Sequence, residues 1–183
     1  NKIVFAGVGK ADWEINLGLD NDIFCFNVES LAELEVINEL AATKQKVASI
    51  ALRINPEVDA HTHAKITTGM KENKFGINLS QLASVTDRLA EMKHVRLIGI
   101  HCHIGSQITD MSAFRNLTIR INEIQDDLAA KGIVVENLNF GGGFGIDYYH
   151  PNHLSIPSFD NYFAAIHSLL QLRPGQQVHF EPG

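Results

Sequence analysis

The sequence predicts an α/β fold whose strands form a parallel sheet. Short apolar runs rich in β-branched residues alternate with helical segments along the whole chain, giving about six strands and five helices. Strict alternation of strands and helices indicates a parallel sheet, because each helix returns the chain to the start of the next strand. An open Rossmann-like sheet and a (β/α)8 TIM barrel, of which about six of eight units are present, both fit this order.

The first half of the chain contains three predicted strands and two predicted helices. The strands cover 3–8, 23–28 and 47–54, and the helices cover 10–19 and the segment after Ser30. Ser30 followed by Glu33 has the spacing of a capping box, and the apolar residues after it recur at helical spacing. Pro56 ends the third strand, since proline disfavours helical backbone at the residue before it.

The segment from Glu57 to Ile77 has no clear periodicity and is mostly polar. Loops of this length are uncommon in compact domains and often carry function. His61 and His63 fall in this segment, and we interpret them as exposed loop residues rather than as a pair of metal ligands.

The second half continues the alternation with three strands and three helices. The strands cover 96–100, 134–140 and 178–180, and the helices cover 79–92, 111–131 and 158–172. Gly132 ends the long middle helix, as expected for a glycine just past a helix C-terminus.

Composition excludes several classes of function. The net charge of −6 and the pI near 5.8 give no electrostatic reason to expect nucleic acid or an anionic membrane as a partner. No apolar run approaches the roughly 20 residues needed to span a bilayer. Cys25 and Cys102 lie inside apolar runs, which indicates buried free thiols in a reducing, cytoplasmic environment.

Both ends of the sequence lie next to predicted strands. The chain starts at Asn1 just before the first strand and stops at Gly183 just after the last. We therefore expect residues 1–183 to be an internal fragment, a barrel domain incomplete at both ends.

Two histidines follow the strand at 96–100. His101 and His103 are two residues apart, so we expect their side chains to point the same way. The carboxyl ends of strands are where barrel and doubly wound enzymes place their chemistry. The pair has three readings: structural histidines, ligands of a metal-dependent hydrolase, or part of a cofactor site. A metal site would need further ligands, for which His61, His63, His179 and Glu181 are the candidates.

A glycine run from Gly141 to Gly145 follows another strand directly. Consecutive glycines let the backbone approach a ligand, and their N–H groups form a nest that binds anions. The run is neither a dinucleotide fingerprint nor a P-loop. Together with the hydroxyl of Ser106 at the end of a second strand, it predicts a phosphate-bearing cofactor that is not a dinucleotide.

Glu181 adds a carboxylate at the end of the last strand. These residues fit pyridoxal 5′-phosphate (PLP), with His103 stacked on the ring, Ser106 and the glycines at the phosphate, and Glu181 at the pyridine nitrogen. An anionic carboxylate keeps that nitrogen protonated, which makes the ring an electron sink suited to amino-acid decarboxylation.

Six stretches of the sequence also match a known family in its order. They are FNVES at 26–30, LRINP at 52–56, TGMKENKFG at 68–76, GIHCHIGSQ at 99–107, NFGGGFG at 139–145 and EPG at 181–183. On these motifs the chain resembles the diaminopimelate decarboxylases, within the alanine-racemase-like, fold-type III group of PLP enzymes.

The resemblance implies the barrel rather than the open sheet, and a C-terminal β domain outside this chain. It implies loss of CO2 from the D-configured centre of meso-2,6-diaminopimelate to give L-lysine. The cofactor-binding residues that it implies are His103, Ser106, Gly142, Gly143, Glu181 and Gly183, with Arg53 in the cofactor environment. It places Lys74 toward the interface of a homodimer whose active sites are built from two subunits.

The resemblance assigns no catalytic residue to this chain, because the Schiff-base lysine of the family lies upstream of Asn1. We therefore expect the isolated fragment to be inactive. Three alternatives remain at this stage: a decarboxylase for carboxynorspermidine, ornithine or arginine, a non-catalytic PLP-binding protein, and the metal-dependent hydrolase. A racemase would carry an arginine in place of Glu181.

Overall fold

The computed structural model, which describes residues 2–58, 75–150 and 158–182, has the predicted alternation of strands and helices. The strands are β1 (Val4–Phe5), β2 (Cys25–Val28), β3 (Ala48–Asn55), β4 (Ile77–Asn78), β5 (Val95–His101), β6 (Asn137–Asn139) and β7 (Gln177–His179). The helices are α1 (Asp12–Asp20), α2 (Leu31–Thr43), α3 (Leu79–Leu89), α4 (Met111–Ala130) and α5 (Phe159–His167). The short strand β4 is the one described element that the sequence did not predict.

The order of the strands decides between the two architectures. All the strand pairs are parallel, and the sheet runs β1-β2-β3-β5-β6-β7 with β4 paired to β3 off this path. Successive strands are therefore added on one side only, without the reversal that creates the crevice of an open doubly wound sheet. This sequential order is that of a (β/α)8 barrel, of which the sheet is a part.

One face of the sheet packs against the helices. Leu52, Ile100 and Leu138 are register partners across β3, β5 and β6, and all three are buried in the main apolar core. Leu34 and Ile37 of α2 belong to the same core and are fully buried. Burial of this apolar face is the main force that holds the helices against the sheet.

The other face of the same strands is polar. Because side chains alternate along a strand, the residues that neighbour the apolar row point into the barrel. Arg53, His101 and Asn139 form one such row across β3, β5 and β6, and Asn27 of β2 lies on the same face. His101 is only 3% exposed, and within the described residues neither of its ring nitrogens has a hydrogen-bond partner.

The start of α2 confirms the predicted cap with one difference. The Ser30 hydroxyl accepts the N–H of Glu33 at 3.2 Å, as expected. The Glu33 carboxylate, however, accepts the N–H of Glu29 at 2.9 Å rather than that of Ser30. It also pairs with Lys10, whose side chain is fully buried and donates to the carbonyl oxygens of Gly7 and Asn27 as well. The Glu33 carboxylate therefore has two roles, since it accepts a hydrogen bond at the start of α2 and also neutralises the buried Lys10.

An aromatic cluster links α5 to the ends of β6 and β7. The Phe144 ring stacks on Phe159 with 4.9 Å between the ring centroids, and Phe163 meets Phe180 edge-on at 5.1 Å. Tyr162 contacts rings on both sides, and its burial raises the pKa of its phenol to about 12. The cluster therefore packs α5 against the glycine run, to which Phe144 belongs, and against the end of β7.

The two cysteines are buried and free, as predicted. Burial raises the pKa of the Cys25 and Cys102 thiols to about 12, which leaves both thiols protonated and unreactive at neutral pH. Among the described helices, none combines the length and the hydrophobicity that crossing a bilayer would require.

We predict that His101 makes the fold sensitive to acid. Burial, reinforced by the charge of Arg53, lowers the pKa of His101 from 6.5 to about 3. As the pH falls, the unfolded state therefore binds the proton first, and stability is lost progressively between about pH 6.5 and about pH 3. At pH 5 the unfolding free energy lost through His101 alone is about 2 kcal/mol.

The measurement is urea unfolding of the full-length protein at pH 7 and pH 5. His101→Gln removes the titrating group and should lessen the fall in unfolding free energy between the two values. His167→Gln, at an exposed position in the last turn of α5, is the matched control and should leave the fall unchanged. An equal fall in unfolding free energy in the wild type and in His101→Gln would contradict the claim that His101 makes the fold sensitive to acid.

Candidate active site

Four neighbouring strands bring most of the predicted site residues to one edge of the sheet. Arg53 comes from β3, His103 and Ser106 follow β5, Gly142 and Gly143 follow β6, and Glu181 follows β7. The carboxyl ends of parallel strands share an edge, so residues far apart in sequence meet there. Gly183, His61, His63 and Lys74 lie outside the described residues.

The Glu181 carboxylate is oriented by two side-chain amides. Asn139 Nδ2 donates to Oε1 of Glu181 at 2.8 Å, and Asn27 Nδ2 donates to the same oxygen at 3.4 Å. The backbone of Glu181 is fixed as well, since its N–H donates to the carbonyl oxygen of Gly141 at 2.8 Å. Both amides donate to Oε1, and neither donates to Oε2.

The His103 ring is held against the glycine turn in its neutral form. The N–H of Gly142 donates to Nδ1 of His103 at 3.3 Å, which requires that this nitrogen carries no proton. Partial burial lowers the pKa of His103, and the positive charge of Arg53 lowers it further, while Glu181 and Glu29 act in the opposite direction. The ring therefore offers a neutral, planar surface at neutral pH.

Three glycines let the loop after β6 approach the ends of β5 and β7. A Cβ on Gly141 would lie 2.5 Å from the carbonyl oxygen of Cys102, and a Cβ on Gly142 would overlap that of Glu181. Gly143 has a φ of +102°, and a Cβ there would overlap the carbonyl oxygen of Gly105. The turn is therefore backbone packed closely against three other carbonyl oxygens, with no room for a side chain at any of these positions.

Ser106 lies on the loop whose backbone touches Gly143. Its predecessor Gly105 supplies the carbonyl oxygen that a side chain on Gly143 would meet, and Ser106 itself is exposed. The hydroxyl and the glycine turn thus belong to adjacent loops and can donate to one ligand.

Arg53 forms an ion pair with a buried carboxylate. Its Nη1 lies 2.8 Å from both carboxylate oxygens of Glu29, a buried residue just after β2. The guanidinium carbon also lies 5.8 Å from the centre of the Phe75 ring. Arg53 influences the site through its charge, which lowers the pKa values of both His101 and His103. Its place in the cofactor environment stays a prediction.

Sequence reasoning missed the residues that support Glu181 and Arg53. Asn27 and Asn139 are buried amides within otherwise apolar strands, and Glu29 is a buried acid at a strand end. Burial of such groups is costly without hydrogen bonds, so an amide inside an apolar strand is a usable signal for a polar network. Both asparagines lie in the family motifs quoted above. The motifs do not predict their hydrogen bonds to Glu181, because these depend on which strands are neighbours in the folded sheet.

The described part of the chain places the histidine pair beside the glycine turn. In residues 2–58, 75–150 and 158–182, no three side chains of the metal-binding types histidine, cysteine, aspartate and glutamate come together as a ligand group. Both histidines instead lie against the glycine turn, since a Cβ on Gly141 would be 3.1 Å from His101 Nε2 and 3.2 Å from His103 Cα.

The chain was compared with curated proteins. It is 63% identical to the diaminopimelate decarboxylase of Bacteroides thetaiotaomicron over 183 residues, which are all of this chain and 47% of that protein. It is 42% identical to the diaminopimelate decarboxylase of Neisseria meningitidis serogroup A over 182 residues, 44% of that protein. The chain thus spans less than half the length of these relatives.

Solved structures agree in fold. Diaminopimelate decarboxylase from M. jannaschii in complex with L-lysine superposes with a TM-score of 0.84 at 38% identity, covering 98% of this chain and 42% of that one. Diaminopimelate decarboxylase from Helicobacter pylori complexed with L-lysine superposes with a TM-score of 0.85 at 34% identity, covering 98% of this chain and 45% of that one. Lysine decarboxylase from Selenomonas ruminantium superposes with a TM-score of 0.76 at 19% identity, covering 98% of this chain and 44% of that one. At this low identity the likeness shows the fold alone.

The alanine-racemase-like partial barrel expected from the resemblance is therefore confirmed. The model of the family described as "Pyridoxal-dependent decarboxylase, pyridoxal binding domain" matches residues 1–183, the whole of the chain. By sequence, by fold and by the residues gathered at its strand ends, the chain belongs to the pyridoxal binding domain family of the pyridoxal-dependent decarboxylases.

Proposed function

We propose that the full-length protein carrying this chain decarboxylates meso-2,6-diaminopimelate to L-lysine and CO2 with PLP as cofactor. The observation that carries the proposal is the Glu181 carboxylate, oriented by Asn27 and Asn139 beside the glycine turn. A carboxylate at this place suits decarboxylation, whereas the racemases of the same fold group are expected to have an arginine there. The names of the relatives support the substrate, and the lysine-bound structures support the product.

The residues present fit the shape and charge of PLP. Gly142 and Gly143 carry no side chain that would keep a phosphate from the backbone at the end of β6, and Ser106 on the adjacent loop offers a hydroxyl as a further donor. Glu181 lies at the neighbouring strand end, and its Oε2, which accepts from neither amide, is proposed as the acceptor for a pyridinium N–H. We assign the same role at the phosphate to Gly183.

PLP and the residues of this chain supply different parts of the proposed chemistry. When bound, PLP supplies the electron sink that accepts the electron pair left on the α carbon as CO2 departs. Glu181 holds the proton on the ring nitrogen, and Asn27 and Asn139 hold Glu181 in place. His103 would supply a neutral ring to stack on the pyridine, and the N–H of Gly142 holds that ring in place.

We place the Schiff-base lysine outside this chain. Lys10 is the described lysine nearest to Asn27 and the polar face of the sheet, but its buried ammonium already donates to two carbonyl oxygens and to the Glu33 carboxylate. An ammonium with three short hydrogen bonds, one of them to a carboxylate, is a structural group rather than a nucleophile. The isolated fragment is therefore proposed to be inactive.

Assembly and location are part of the same proposal. We propose a cytoplasmic homodimer, in which a C-terminal β domain outside this chain completes the active site. The free cysteines Cys25 and Cys102 support a reducing compartment. Light scattering of the full-length protein in solution tests the dimer.

The reaction is tested with the full-length protein, PLP and meso-2,6-diaminopimelate. We expect equimolar L-lysine and CO2, unaffected by EDTA, and much slower turnover of L-ornithine, L-arginine and carboxynorspermidine. Faster turnover of one of these three would replace the proposed substrate. A requirement for a divalent metal without PLP would return the histidine pair to the hydrolase reading.

The role of Glu181 predicts a selective loss of turnover. Glu181→Gln keeps the shape but removes the charge that retains the ring proton, so we expect kcat/KM to fall by at least roughly 100-fold, the scale of a lost electrostatic contact. PLP affinity should change much less, because the phosphate contacts remain. Glu39→Gln, on the exposed side of α2, is the control. Unchanged turnover in Glu181→Gln would contradict the role.

The glycine turn predicts a loss of cofactor affinity. Gly143→Ala would place a Cβ against the carbonyl oxygen of Gly105 and push the two loops apart, so PLP affinity should fall by at least about tenfold, or 1.4 kcal/mol. Gly175→Ala has a similar left-handed φ of +82° but no atom within 4 Å of the new Cβ, and it controls for backbone strain alone. PLP affinity is measured by titration of the cofactor absorbance. Equal affinities for the two variants would refute the role of the glycine turn in PLP binding.

A further inference from the structure

The loops that follow β5 and β6 are joined to each other by backbone hydrogen bonds. The N–H of Ile108 donates to the carbonyl oxygen of Gly143 at 2.8 Å, and the N–H of Gly145 donates to that of Ile108 at 2.9 Å. Ile108 and Phe144 accordingly form an isolated parallel bridge. One of these loops carries Ser106 and the other carries the glycine turn, so the bridge joins the two loops at their inner ends.

The side chain of Gln107 extends this bridge by one further pair of bonds. Its Nε2 donates to the carbonyl oxygen of Ile146 at 2.8 Å, and its Oε1 accepts the N–H of Ile146 at 2.9 Å. A carboxamide carries the same donor and acceptor as a peptide group, so Gln107 pairs with Ile146 as the backbone of a neighbouring strand would. Glutamate, lysine and alanine cannot make both bonds.

The backbone at Gln107 is shaped for this contact. Its φ is +56°, in the left-handed region that residues with a Cβ rarely adopt. Such a conformation persists where surrounding contacts over-determine it, and it marks functional positions more often than ordinary loops. Here the bonds to Ile146 are the contacts that hold it.

The two loops are anchored in the core at their inner ends but not at their rim. Ile108 is buried, and Phe144 stacks on Phe159 of α5. Gln107 and Ile146 are both exposed at the rim. The rim contact between the loops therefore depends on the Gln107 carboxamide, which lies next to Ser106 in the chain.

We propose that Gln107 is a positioning residue for phosphate recognition, which fixes the distance between the Ser106 hydroxyl and the Gly142–Gly143 turn. The proposal rests on the proposed function, because the phosphate is that of PLP. A binding constellation must be held within roughly 0.5 Å of its productive geometry, and donors on two separate loops meet this demand only when the loops are tied together. Gln107 does not contact His103 or Glu181, so its effect falls on the phosphate and not on the ring.

The test compares PLP with pyridoxal, which lacks the phosphate. Dissociation constants of both compounds are measured with the full-length apo-protein by titration of the ring absorbance. Gln107→Ala removes both bonds to Ile146, and Gln107→Glu keeps the acceptor while placing a negative charge against the Ile146 carbonyl oxygen and near the phosphate. The pair keeps the test decisive if one variant fails to fold.

Gln45 provides a matched control. It is exposed, its φ is +55°, and within the described residues its side chain takes part in no hydrogen bond. Gln45→Ala and Gln45→Glu therefore reproduce the changes in backbone strain and charge at a turn remote from the site.

We expect Gln107→Ala to raise the dissociation constant of PLP about tenfold, equivalent to about 1.4 kcal/mol, and Gln107→Glu to raise it at least as much. The constant for pyridoxal should stay within about twofold of the wild type, and the Gln45 variants should match the wild type for both compounds. Ser106→Ala combined with Gln107→Ala should weaken PLP binding by less than the sum of the two single effects, since both act on one contact.

Three results would overturn the inference while leaving the proposed function intact: unchanged PLP affinity in the Gln107 variants, equal losses for PLP and pyridoxal, or fully additive effects with Ser106→Ala. Failure of the wild-type protein to bind PLP would instead overturn the proposed function, and this inference with it. The two failures are therefore told apart by the wild-type titration.

Discussion

Close contact between backbones at the glycine turn after β6 is the constraint on which the candidate site depends. Gly141, Gly142 and Gly143 lie against carbonyl oxygens from Cys102, Glu181 and Gly105, which leaves no room for a Cβ at any of the three. The contact brings the ends of β5, β6 and β7 together. It also orients Glu181, whose N–H donates to Gly141, and His103, whose Nδ1 accepts from Gly142.

The polar inner face of the sheet is the second requirement. Asn27, Arg53, His101 and Asn139 line the inside of the partial barrel, where unpaired polar groups are costly. Most of this cost is offset by pairing, with Glu181 held between two amides and Arg53 held by Glu29. The fold thus keeps charged and amide groups in a low-dielectric interior, where they act strongly on the histidines beside them.

Much of the fold and of the candidate site could be predicted from local patterns. The cap at Ser30, the end of α4 at Gly132 and the alternation of strands and helices depend on residues close in sequence, and all are confirmed. His103, Ser106 and Glu181 can be predicted as candidate site residues because each follows a predicted strand and carries a group suited to chemistry. Gln107 and Asn27 were not assigned, because their partners Ile146 and Glu181 lie 39 and 154 residues away.

Hydrophobic periodicity and turn chemistry are local properties of the chain, and they predict the class of fold and the candidate residues at the strand ends. They leave the order of the strands open, and the barrel rather than the open sheet was implied by the family motifs. The tertiary structure shows the order of the strands, which agrees with the barrel. It also decided that one oxygen of Glu181 is held by two asparagines and that Gln107 ties two loops together. These are contacts between distant segments, and their geometry exists only once the parallel sheet has set which strands are neighbours.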